Sequence, residues 1–215
     1  MYVSPQIVVG FHGCDSSTAA KVINTGQHLS KSSNNYDWLG HGIYFWEGSY
    51  ERALEWASNK KVKNPSVIGA FIKLGNCLDL LDSKYVNKLT IAYNVLETEF
   101  SIANKTLPQN QAISHGISFN RRLDCQVILR LHQLNDEAIA KELNLSNIQD
   151  PNNKIEIQRH PNHIDSVRGL FPEGKEAYSG AGFRIKNHIQ LCILNPNCIV
   201  GYFHPIQANS NYKEV

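Results

Sequence analysis

The chain has 215 residues, 42% of them hydrophobic, and a formal net charge of +2. That is enough apolar material for one sizeable core, so a single domain over residues 1–215 is expected, and the charge surplus is too small to announce a polyanionic partner. The five cysteines include no C-x-x-C, which argues against a disulfide framework or zinc site and for reduced thiols. The start carries no basic leader and no apolar run reaches bilayer length, so a cytoplasmic protein without membrane association is expected.

In chain order, "QIVVGFHG" predicts a short strand, and Asp15-Ser16-Ser17 supplies N-cap candidates for a helix that stops at Gly26. A polar loop leads to "YDWLGHGIYFWEGSYERALEWA", where "GIYF" reads as a strand and Ser49 caps a second helix. "SVIGAFIKLGNCLDLLD" predicts one or two central strands. From residue 83 to about 150 the apolar spacing turns helical, and "QDPNNK" closes the stretch. Strand character returns in "IDSVRGLF", "GFRIKNHIQLCIL" and "CIVGYF". Strands at both ends with helices between them predict an α+β fold with a helical insertion over roughly 83–150.

Neither "GHG" (Gly40 to Gly42) nor "GAG" (Gly180 to Gly182) continues into a dinucleotide fingerprint, because each runs into strand rather than helix. His160 and His163 have a spacing zinc could use, yet their loop has no nearby cysteine, so they read as exposed loop histidines and no metal is assigned. His12 ends the first strand beside Gly13, whose missing side chain would let a ligand approach the backbone; the alternative is a satisfied core histidine. Tyr44 and Phe45 face opposite ways in a strand, so one packs inward while the other can line a cleft, with room made by Gly40 and Gly42. Positions 52, 53 and 56 come round to one side of the following helix, so Trp56 offers a second aromatic surface. A flat heteroaromatic held between such rings suits the pattern. In "NHIQLCIL", His188, Gln190 and Cys192 share a face, and Gln190 needs either a ligand or a structural partner, since a buried unpaired amide costs about 1–3 kcal/mol.

His12-Gly13 at a strand end, "LGHGIYF" about thirty residues later, a helix directly after it and a polar residue in a late strand together resemble the diphtheria-toxin and poly(ADP-ribose)-polymerase-like ADP-ribosyltransferases. The likeness covers residues 6–80 and 164–204. It implies a split, mixed β-sandwich binding NAD as co-substrate. By the resemblance His12 would bond the adenosine ribose, the Gly13 backbone would hold the nicotinamide carboxamide, and Tyr44 would stack on the nicotinamide ring beside Gly42, with Trp56 as a second wall. Gln190 falls where the family places a glutamate or its replacement.

Relatives without a glutamate there disfavour chain elongation, so the resemblance implies transfer of a single ADP-ribose; a neutral amide can position a ribose but cannot take a proton, so a base would come from Glu173 or Glu176 in "FPEGKEAYSGAGFR". Arg168 and Arg184 flank that loop and could meet phosphate. The resemblance extends to toxins of toxin-antitoxin and phage-defence systems, which implies a macromolecular acceptor and an antitoxin partner. The basic clusters Lys60, Lys61, Lys63 and Arg121, Arg122 lean toward RNA or DNA as the acceptor. The alternatives are a protein-directed transferase, a non-catalytic module binding NAD or ADP-ribose, and a purely structural α+β domain.

Overall fold

A computed structural model describes residues 5–59, 62–112, 118–206, 211 and 213. The fold is mixed α+β, with five α-helices and a seven-stranded sheet among the described residues. The strands that matter for the site are β1 (Ile7–Asp15), β2 (Ile43–Glu47), β3 (Pro65–Lys73), β4 (Cys77–Asp79), β7 (Ser166–Phe171), β8 (His188–Ile193) and β9 (Ile199–Phe203). They run in the order β4-β7-β8-β2-β1-β3-β9, antiparallel except for the β4–β7 pair. No described helix is long and apolar enough to cross a membrane.

Local chemistry sets the helix ends. Helix α1 (Ser16–Thr25) starts where the Asp15 carboxylate accepts from the Ser17 N–H, and stops at Gly26 in the left-handed region, φ 68°. Helix α2 (Tyr50–Asn59) follows Ser49 as expected. The central stretch holds α3 (Ser83–Ile102), a small hairpin of β5 (Asn110–Ala112) and β6 (Ser118–Arg121), and α4 (Arg122–Glu142). It does not end at "QDPNNK". Asp150 caps and Pro151 opens a further helix, α5 (Pro151–Arg159), because proline's fixed φ suits a first helical position as well as it suits a break.

Alternation along β8 divides the core. Leu191 and Ile193 enter an apolar cluster with Ile43, Phe45 and the α1 residues Ala19 and Val22. Cys192 enters a second cluster with Leu39, Val167 and the inward faces of α3 and α4. All five cysteines are free and buried. One joint in the sheet is slender. β1 and β3 are in register over nine residue pairs, Ile7↔Lys73 to Asp15↔Pro65, whereas β1 and β2 share only Gly10↔Glu47 and Phe11↔Trp46.

Candidate functional site

A cleft of about 840 Å³ opens where β1 and β2 stop pairing. Past Phe11 and Trp46 the next bond between the strands comes from a side chain: His12 Nδ1–H donates to the Tyr44 carbonyl at 2.7 Å. A carbonyl only accepts, so Nδ1 carries the proton and Nε2 keeps its lone pair. Burial lowers the His12 pKa from its ordinary value, which keeps the ring neutral.

His12, Gly42, Tyr44, Trp56, Glu173 and Gln190 all line this cleft. Residues separated by up to 178 positions in sequence therefore meet in one place. Gly13 does not join them. It is not among the lining residues; it is buried, and a Cβ there would collide with the Ala53 carbonyl oxygen, so the close approach of α2 to β1 requires a glycine at this position. Gly40 and Gly42 likewise answer to packing. Gly40 has φ 82°, and a Cβ on Gly42 would lie 2.6 Å from Cys192 Sγ and 2.7 Å from the Ile193 carbonyl oxygen.

The Tyr44 hydroxyl is spent on its own loop: it accepts from the Leu39 N–H at 3.0 Å and donates to the Gly40 carbonyl at 2.8 Å. Burial holds its phenol well above the usual value, so it is no proton donor to a ligand, and its ring is what remains to offer. Gln190 also has partners. Its Oε1 accepts from Trp38 Nε1–H at 2.6 Å and its Nε2 donates to His188 Nε2 at 3.0 Å, while His188 Nδ1–H donates to the Lys186 carbonyl at 2.7 Å. Trp38 can only donate, which fixes which way the amide points. Two of the amide's four hydrogen-bonding positions are thereby occupied and two remain. Burial lowers the His188 pKa, consistent with its place as a neutral acceptor in this chain.

Across the cleft stand residues that sequence reading did not assign to a ligand. Trp46 follows Tyr44 by two positions on β2 and so shares its face. Its ring packs against Trp56 at 5.8 Å and His188 at 6.3 Å. Arg52, one turn into α2, bonds Glu55 and donates to Glu173 at 2.5 Å, and Lys186 pairs with Glu55. Asp37, 8% exposed, closes one end and accepts from Ser32 Oγ and the Asn34 N–H, both at 2.7 Å. Period-two alternation from Tyr44 would have found Trp46; nothing local marks Trp38 as the partner of Gln190, 152 residues away.

Three expectations are corrected. Arg168 is not a phosphate ligand: it is 7% exposed, binds both Glu47 oxygens at 2.7 and 2.8 Å and reaches Asp79 at 3.1 Å. Arg184 faces Glu176 at 3.8 Å, and neither lines the cleft. His160 and His163 are mostly covered rather than exposed, facing Glu142 at 3.5 Å and Asp136 at 3.6 Å. Of the basic clusters, Lys60 and Lys61 lie outside the described residues. The Arg121 guanidinium lies over Trp38 and Phe171, 4.8 and 4.5 Å from their ring centres, and with Trp38 it lines a second cavity of about 380 Å³.

Among known proteins, the chain is similar to an uncharacterised protein of Methanocaldococcus jannaschii, with 24% identity over 205 residues, 88% of this chain and 83% of that one. No family model and no solved structure matches it.

Proposed function

We propose that the protein is an NAD-dependent mono-ADP-ribosyltransferase, and that the cleft holds NAD with its nicotinamide ring against Tyr44. The observation that carries this reading is the meeting of His12, Tyr44 and Gln190 in one aromatic-walled cleft at the two-pair seam between β1 and β2. The seven strands form one hydrogen-bonded sheet, not the two sheets of the expected sandwich, and this seam is where it opens. The surroundings suit a nucleotide: Trp38, Trp46, Trp56 and Phe171 give flat apolar surfaces, and oriented polar groups lie between them.

In the reaction the bond between ribose C1 and the nicotinamide nitrogen breaks, its electron pair leaves with neutral nicotinamide, and positive charge grows on the sugar. The neutral His12 ring presents an Nε2 acceptor to a ribose hydroxyl. Gln190, fixed by Trp38 and His188, places its remaining amide positions against the other ribose without contributing charge. Of the carboxylates that line the cleft, Asp37, Glu55 and Glu173, Glu173 is the one assigned to take the proton of an incoming acceptor, and the charge-assisted bond from Arg52 holds it in place. Nicotinamide departs, ADP-ribose joins the acceptor, and the acceptor's proton passes to Glu173.

A bacterial-toxin role with an RNA or DNA acceptor extends this proposal, although the stacking of Arg121 on Trp38 and Phe171 removes one cation from the basic cluster that favoured nucleic acid. A second reading, a non-catalytic module for NAD or ADP-ribose, is favoured by one observation: Gln190 is neutral and already holds two structural partners. Turnover separates the two. Nicotinamide release from NAD, with labelled ADP-ribose appearing on macromolecules of a lysate, is expected for wild type and lost in His12→Ala. Binding of NAD without release would leave the module, and full release by His12→Ala would remove His12 from the site.

A further inference from the structure

Two hydrogen-bond donors on the α2 side of the cleft have no acceptor. Trp46 Nε1–H and Arg52 Nε–H are both shut off from water and unpartnered, although both side chains line the cleft. Trp46 is 6% exposed. Arg52 already gives its other two nitrogens to Glu55 and Glu173, so Nε–H is its one unmade bond. A buried donor left unsatisfied costs about 1–3 kcal/mol, and two of them, one near the end of β2 and one near the start of α2, are a standing cost that a ligand oxygen would remove.

The charges nearby say what kind of oxygen. Arg52 and Lys186 are each paired with Glu55 or Glu173, so these four side chains sum to zero. A phosphate brought here would meet two carboxylates across cations that are already neutralised. A neutral carbonyl oxygen meets the same two N–H groups without that repulsion.

Resting on the NAD reading, we infer that Trp46 Nε1 and Arg52 Nε together receive the carboxamide oxygen of nicotinamide. Tyr44 and Trp46 share a face of β2, so a ring lying on Tyr44 points its substituent along the strand toward Trp46. The Trp56 ring, 38% exposed, rests on Trp46 and lines the same cleft. The seat supplies donors only. It therefore reads the carbonyl oxygen and ignores the amide nitrogen.

The test uses fragments that vary that one feature. Wild-type protein is titrated calorimetrically with nicotinamide, with 3-acetylpyridine, which keeps the oxygen and loses the NH2, and with 3-ethylpyridine, which keeps the shape and loses both. Nicotinamide and 3-acetylpyridine are expected to bind within about threefold of each other, and 3-ethylpyridine about tenfold or more weaker. Arg52→Lys keeps the charge without Nε and should shrink the acetyl-to-ethyl gap to about threefold or less, and ADP-ribose, which lacks the amide, is titrated into wild type as the test of the cleft itself. Equal binding of 3-ethylpyridine and nicotinamide by wild type overturns the seat and leaves the NAD reading standing. No binding of nicotinamide or of ADP-ribose overturns that reading and the seat with it.

Discussion

The two walls of the cleft are built on opposite principles. On the β8 side Trp38, Gln190, His188 and the Lys186 carbonyl form a chain in which each donor has its acceptor at 2.6–3.0 Å. On the α2 side Trp46 and Arg52 keep buried N–H groups with none. A finished hydrogen-bond chain costs nothing to maintain and fixes the orientation of whatever touches it, whereas an unfinished one is tolerated when something outside the fold completes it. The β8 wall is thus suited to positioning and the α2 wall to capture.

The largest effect should come from undercutting the β8 wall. Arg168 on β7 grips Glu47 on β2 and Asp79 on β4, clamping the strands on either side of β8. Arg168→Met leaves two carboxylates, Asp79 wholly buried, without their cation, and is expected to cost about 3–5 kcal/mol in chemical denaturation. A loss below about 1 kcal/mol would mean that the clamp contributes little. Replacing the whole cluster by apolar residues should cost much less than removing the arginine alone.

A second set of orphaned polar atoms, one ring donor and one ring acceptor, lies behind the floor of the cleft and makes the comparison pH-dependent. Both ring nitrogens of His132 on α4 are buried and unpartnered, next to the Gly40 turn that holds the Tyr44 hydroxyl. Burial, with His163 and His41 nearby, lowers its pKa from 6.5 to about 4. A folded-state value below the unfolded one means that the unfolded chain takes up the proton first. Stability is therefore full above pH 6.5 and falls as the pH drops toward 4, by about 2 kcal/mol at pH 5 from this residue. His12 and His188, also lowered by burial, push the same way. His132→Phe should flatten the pH 7 to pH 5 profile of thermal unfolding, and an unchanged slope would mean that His132 finds a partner in solution.

These groups also show which parts of the molecule could be read from sequence. Helix α1 was legible because its cap and stop, Asp15 and Gly26, act within a turn of the residues they serve. That His12, Tyr44 and Gln190 line one cleft was anticipated through the family resemblance, whereas strand ends and alternation gave only the face each residue takes within its own strand. The reasons for the glycines were not: Gly13 and Gly42 are dictated by Ala53 and Cys192, contacts that exist only after the sheet has formed. Arg168 reads from sequence as a loop-flanking cation, and only the position of Glu47, 121 residues away, turns it into a buried clamp. Helix α5 was missed because proline and asparagine serve a first helical turn as readily as a break.

The Tyr44 hydroxyl gives the next effect. Tyr44→Phe keeps the ring in the cleft and removes both bonds to the Leu39–Gly40 turn. About 1–2 kcal/mol of stability should be lost, while binding of nicotinamide, which needs only the ring, stays within about threefold. A collapse of binding with unchanged stability would instead assign the hydroxyl to the ligand.

The smallest expected change is the sharpest probe, because it converts the finished wall into an unfinished one. Trp38→Phe deletes the donor to Gln190 Oε1 and leaves an aromatic ring to pack against Phe171 and Arg121. The amide cannot answer by flipping, since His188 Nε2 needs the N–H that Gln190 now gives it. One oxygen loses its partner, at a stability cost of about 1 kcal/mol. If the β8 wall positions the ribose, nicotinamide release should slow several-fold with little change in KM, because orientation matters most at the transition state. If Gln190 is a structural amide that happens to face the cleft, stability falls by the same amount and the rate is unmoved.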